Sequence, residues 1–225
     1  MKKILLLSVL GCAITISNVN AQGLNQRLTD RDGKPILTKD YTDVSGSPYL
    51  TADWSNGTVK LAGGQTAADV PVKYNLMDDV LTFKDKDGNE MAFAEPVDEF
   101  TITYKSDDQT VTKHYRKGYK DISRTTPDSY FEVLNEGAVQ LIKKTTVGIV
   151  ISQEWNSASK TKNFKDVSKY YLVIDGKATP VKNDKKAIIA LLPAKQQQLQ
   201  DYVKTNQIEK SDADLGKLVT YYNSL

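Results

Sequence analysis

Few residues here are of a type and spacing that could do chemistry. Asp85-Lys86-Asp87-Gly88, inside FKDKDGNEMAF, has the acidic look of a calcium loop. Counted from Asp85, an EF-hand loop needs glycine sixth and glutamate twelfth, but those positions hold Glu90 and Pro96. The single histidine, His114 in TVTKHYRKG, could serve as a general base, but one histidine cannot by itself build a zinc cluster or a Cys-His pair. Ser157 and Lys160 match the Ser-x-x-Lys of penicillin-recognising enzymes, yet they fall in NSASKTKN. That stretch reads as a polar loop, whereas the chemistry needs the pair one helical turn apart. Glu95, Asp98 and Glu99 could serve glycoside hydrolysis only if the fold set their separation, and around Pro96 they read as polar surface. Trp54 and Trp155, with twelve tyrosines, could stack on sugars or peptides. The plainer reading of a tryptophan ending a strand is core. No phosphate-binding glycine loop, dinucleotide fingerprint or Gly-x-Ser-x-Gly elbow occurs. The sequence therefore assigns no catalytic, cofactor or metal residue.

The chain opens MKKILLLSVLGCAITISNVNAQ: two lysines, a mostly apolar run over residues 4–16, then Val19-Asn20-Ala21. This is the pattern of a secretory signal peptide cut near Ala21, leaving Gln22 first. The run is shorter than the ~20 residues that span a bilayer, so no transmembrane segment is expected in the mature chain. Val9-Leu10-Gly11-Cys12 resembles a lipobox, but the apolar run continues past an unusually early Cys12, which argues against lipidation. Cut after Ala21, the chain has no cysteine and no disulfide. A periplasmic or secreted location is expected.

Of 30 basic and 28 acidic residues, Lys2 and Lys3 fall in the leader, so the mature chain is formally neutral. Nothing in that balance favours nucleic acid. The charge is unevenly spread: residues 22–108 carry 9 basic and 16 acidic side chains, residues 143–186 carry 10 and 4. Either the two segments neutralise each other across one fold, or the second is a basic surface for phospholipid headgroups or a polyanionic glycan.

The elements that must position these residues are mainly strands. Short runs rich in Val, Ile, Thr, Tyr and Phe, punctuated by Gly, Asp and Asn, predict strands at 49–54, 58–62, 70–76, 80–84, 90–94, 99–104 and 110–115. Others follow at 130–134, 138–144, 147–152, 169–174 and 178–182. About twelve short antiparallel strands imply a sandwich, roll or barrel. Register decides the Asp85-Gly88 question in favour of a turn. A three-residue loop closed by left-handed Gly88 pairs Phe83 with Met91 and Leu81 with Phe93, gathering all four on one face. The same frame in LTDRDGKPI (Asp30-Arg31-Asp32-Gly33) sets Leu28 opposite Ile36. In FEVLNEGAVQL (Leu134-Asn135-Glu136-Gly137) it sets Val133 opposite Val139 and Phe131 opposite Leu141.

After residue 182 the texture turns helical. Asn183 or Asp184 can cap a run with Ile188, Leu191 and Leu192; Pro193 divides it from a second run with Leu199, Tyr202 and Val203. Ser211 opens a third, with a stripe of Leu215, Leu218, Val219 and Tyr222. The expected organisation is a signal peptide over 1–21, an antiparallel β domain over 22–182, and a helical segment over 183–225 packed on it.

GSPYLTADWSNGTVKLAGG, VPVKYNLMDDVLTF and the terminal YYNSL resemble a group of exported or periplasmic proteins of unknown function from Bacteroidota. The resemblance implies an exported location and brings no site residues. Together these features point to an exported binding or envelope-interaction protein, more readily non-enzymatic than enzymatic, with an unknown protein, glycan or lipid partner. The alternatives are a carrier of a lipid or other apolar ligand between sheet and helices, and an Asp/Glu-dependent hydrolase.

Overall fold

A computed structural model describes residues 33–35, 41–153, 155, 159–192 and 194–225. The leader with Cys12 and Ala21, the Asp30-Arg31-Asp32 turn with Leu28 and Ile36, Ser157 and Pro193 lie outside the described residues. Among the described residues eleven strands form one open antiparallel sheet. They are β1 (Gly33–Pro35), β2 (Ser55–Leu61), β3 (Thr66–Asn75), β4 (Val80–Lys84), β5 (Glu90–Phe93) and β6 (Val97–Ser106). β7 (Gln109–Arg116), β8 (Phe131–Val133), β9 (Val139–Gln153), β10 (Lys160–Ile174) and β11 (Lys177–Val181) follow. The spatial order is β1-β5-β4-β3-β2-β6-β7-β8-β9-β10-β11. Three helices come last: α1 (Lys185–Leu191), α2 (Gln196–Thr205) and α3 (Asp212–Ser224).

The sheet is rolled. β3 and β9 stand five places apart, which on a flat sheet is ~24 Å. Yet the Val147 N–H donates to the carbonyl of Leu76, just past β3, at 3.4 Å. Lys144 on β9 also reaches Asp79, in the β3–β4 turn, at 2.5 Å. Alternation drives the curl, because β2 and β3 turn every second side chain inward. Tyr74, Phe100, Tyr115 and Tyr130 meet inside, with Tyr74 and Tyr115 ring centres 5.0 Å apart. A second core fills the space between β9–β10 and the helices, where Leu141, Leu172, Ile188, Leu192, Leu199, Leu215, Leu218 and Val219 are fully buried. A third, smaller cluster of Ile122, Phe131, Ile142, Tyr171 and Val173 lies on the other face of β8–β10.

Local chemistry explains most element ends. In the β4–β5 turn Phe83 pairs with Met91, and Gly88 has φ +91°, as left-handed glycine closing the loop requires. Asp85 holds the turn: its Oδ1 accepts from the N–H groups of Asp87 (2.9 Å) and Asn89 (2.7 Å), and its Oδ2 accepts from Asn89 Nδ2 (3.0 Å). Asp184 caps α1 by accepting from Lys186 N and Ala187 N, and Ser211 caps α3 by accepting from Asp214 N.

Several expectations need correction. Residues 49–54 are not a strand; they fold back across the end of β3, joined by a Tyr49–Asn75 bridge and by the Leu50 N–H to the Tyr74 carbonyl. The runs at 138–144 and 147–152 are one strand, β9. β10 begins at Lys160, in the stretch read as loop, because pairing with β9 continues unbroken from Lys160–Gln153 to Ile174–Val139. The Leu134-Asn135-Glu136-Gly137 turn is longer than expected, since Val133 pairs with Ile142 and not with Val139. Side chains replace strand pairing there. Asn135 Oδ1 accepts from Leu141 N (2.7 Å), and Asn223 of α3 bonds both the N–H and the C=O of Val139 (3.0 and 2.8 Å). Phe131 and Leu141 consequently belong to different cores.

Candidate binding groove at the mouth of the roll

One end of the roll is lined by charge where its middle is lined by aromatic rings. Glu132 lies opposite Tyr115 on β7 and opposite Lys143 on β9, and Lys143 lies opposite Tyr170 on β10. One row of inward positions thus crosses four strands. Along it Lys113 Nζ meets Glu132 Oε1 at 2.6 Å, Glu132 Oε2 lies 4.0 Å from Lys143 Nζ, and Lys143 reaches Asp212 at 2.6 Å. The Tyr170 hydroxyl donates to Asp212 at 2.8 Å. Glu132 is 6 % exposed, and two ammonium groups flank its carboxyl oxygens.

Lys113, Tyr115, Glu132 and Lys143 of this row line a cavity of about 330 Å³. Its walls include Tyr49, Leu50, Tyr104, Tyr115, Val147 and Phe164, with Thr145, Ser168 and Asp166 at the β9–β10 side. A second cavity of about 510 Å³ shares Leu50 and Tyr104 with it and adds Trp54, Thr51, Asn56 and Thr103. Residues 47–56 contribute to the lining of both, and together the two make a groove with aromatic faces and hydroxyl rims. Burial, reinforced by the Glu132 charge, raises the Tyr104 phenol above the usual tyrosine range, and burial raises Tyr115 well above it. Burial, then the charge of Glu90, does the same to Tyr49. These rings are therefore neutral phenols at physiological pH, able to donate and to accept.

The residues that sequence singled out are scattered. His114 sits outside this groove, its Nε2 2.8 Å from Glu99 and its Nδ1 3.3 Å from Glu136, with Arg116 bridging the same two carboxylates. Burial works against ionisation of Glu99, but Arg116 and His114 outweigh it and hold the carboxyl below its ordinary value. Glu95 accepts from the Gly63 N–H at 2.5 Å and does not join Glu99. Lys160 opens β10, and Trp155 is 93 % exposed beyond the end of β9. Of the two tryptophans Trp54 lines the groove, with Lys73 Nζ 5.9 Å from its ring, and Tyr49, Tyr104 and Tyr115 are the tyrosines that join it. Sequence reading missed Lys113, Glu132 and Lys143. The available signal was a charged residue at an inward position between large apolar neighbours, as in Phe131-Glu132-Val133. Among the described residues no group of histidine, cysteine and carboxylate side chains is arranged to hold a metal. Comparison with protein families, curated proteins and solved structures returned no match.

Proposed function

We propose that the protein is an exported, non-enzymatic binding module that takes an uncharged polar ligand of the saccharide class in this groove. The observation that carries the reading is the lining of the 330 Å³ cavity: Lys113 and Lys143 balance Glu132 and Asp166, beside the faces of Tyr49, Tyr104 and Phe164. A floor whose ammonium groups are already paired with carboxylates offers hydrogen bonds in both directions without leaving an unpaired cation for an anionic ligand. Aromatic walls suit the C–H faces of a sugar ring. The adjoining Trp54 cavity extends the groove for a second ring. The carrier alternative has less support, since the side chains between sheet and helices are fully buried and both cavities lie elsewhere. Export rests on the leader with its cut near Ala21. Intact-mass analysis of envelope protein beginning at Gln22 tests that part.

Isothermal titration with a panel of neutral oligosaccharides, repeated on Tyr104→Ala, tests the ligand class. At least one should bind, and the variant should lose about tenfold or more, the worth of a stacked ring. Failure of every neutral sugar while native mass spectrometry reveals a co-purified lipid would replace this reading with the carrier.

A further inference from the structure

Independently of the groove, we propose that the outer half of the β9–β10 hairpin is an arm that docks on an anionic lipid bilayer at headgroup depth. Past Val147, whose N–H still bonds the Leu76 carbonyl, the hairpin leaves the body, and residues 148–153 at ~3.3 Å each reach about 20 Å. A short segment around Ser45 braces β10 at Lys162 and Phe164. Tyr41 of that segment meets the Phe164 ring edge-on at 5.1 Å, and Phe164 and Asp166 turn toward the groove; among the described residues nothing else covers the arm past Val147.

Its apolar side chains stand in water. Ile151 is 60 % exposed, Val167 54 % and Val150 47 %. Ile151 and Val150 point to opposite faces, so the arm is apolar on both sides, with Trp155 beyond its end. A flat protein partner would bury one face. A lipid interface receives both, and tryptophan is the residue that settles at that depth.

Charge selects the lipid. Lys160, Lys165 and Lys169 are exposed on β10 with no acidic partner among the described residues, while Lys162 is already paired with Asp43. They belong to the basic 143–186 segment, and their stems can lie along apolar surface while the ammonium groups meet phosphate. The unpaired outer edge of β9 sets the depth. Past Val147 its backbone has no strand neighbour among the described residues, and such groups are not tolerated in hydrocarbon. The arm therefore lies among headgroups and does not cross.

The test is sedimentation of the full mature chain with vesicles of phosphatidylglycerol in phosphatidylcholine, and with phosphatidylcholine alone. Binding should require the anionic lipid and fall steeply with added salt. The emission component of Trp155, taken as the difference between wild type and Trp155→Phe, should shift to the blue. Lys160→Gln/Lys165→Gln and Ile151→Ser should each weaken binding about tenfold, with melting temperature unchanged. If Ile151→Ser melts lower, the exposed lysine pair carries the test alone. No binding to anionic vesicles, equal binding to neutral ones, or arm variants that bind like wild type would overturn the proposal. So would self-association that Ile151→Ser abolishes, which would make the arm an interface between copies.

Discussion

β9 and β10 run as one continuous ladder, yet its two halves live in different solvents. At the root, Leu141 and Leu172 are fully buried beneath α1, α2 and α3, and Ile142 is fully buried on the opposite face, against Phe131 and Tyr171. Further out, the same two strands with the same pairing carry Val150, Ile151 and Val167 in the open. Hydrogen bonding keeps a hairpin in register, but a second layer is what makes its apolar side chains contribute to stability. The root is structural. The arm is exposed surface available for function.

The contrast can be sharpened or broken by mutation. Leu172→Ala should cost ~2–5 kcal/mol in urea unfolding, through lost transfer energy and the cavity left behind. Where root meets groove, Glu132→Ala removes the acceptor for Lys113 and should cost ~1.5–3 kcal/mol by the same measurement. A Glu132→Gln variant that loses nothing would show the ion row to be ornamental. Gly216 of α3 packs so closely on Leu134 that a side chain there would run into the Leu134 carbonyl. Gly216→Val should therefore lower stability by ~1–3 kcal/mol, and an unchanged melting temperature would mean that the helix layer is loosely seated.

Far from either half, the β4–β5 turn gives a smaller, pH-dependent effect. The Asn89 side chain, aided by backbone N–H groups, holds the Asp85 carboxyl below its ordinary value, against burial. A depressed folded-state value stabilises above the ordinary aspartate range and is lost as pH falls through the folded value. Wild type should thus lose part of its melting temperature below about pH 4, and Asp85→Ala should lack that part of the acid limb. Smallest of all, Val167→Ala, on the same strand as Leu172, should change stability by less than ~0.5 kcal/mol. A loss like that at Leu172 would show the arm to be packed after all.

These magnitudes follow burial, and sequence disclosed burial unevenly. Period-two alternation marked β2 to β7, and side-chain caps marked α1 and α3, because both signals are local. Phe83–Met91 pairing was legible for the same reason: a glycine and the apolar residues around one turn determine it. Of the outer arm, the β9 side at 147–152 was legible as a strand and the β10 side was not. Lys-Thr-Lys-Asn-Phe-Lys-Asp has no apolar period, and it is a strand only because β9 stands beside it. The 134–141 loop misled, since Asn223 supplies bonds from 84 residues away. The groove misled for the converse reason. Residues 49–54 have strand composition, but Leu50 packs against the core of the roll and takes the segment across the end of β3.

The Asn223 contact also governs when the fold can form. Both backbone groups of Val139, where β9 begins, bond to a side chain that a chain emerging vectorially produces long after β9 itself. β2 to β7 are joined largely by neighbouring hairpins and can assemble early. Asn135 and the pairing with Ile174 already hold Val139, but these two bonds are added only when α3 docks, a long-range closure of the kind that slows folding. Until the helices dock, the root of the hairpin shows its apolar face to solvent as the arm does, and transient exposure of that kind favours aggregation.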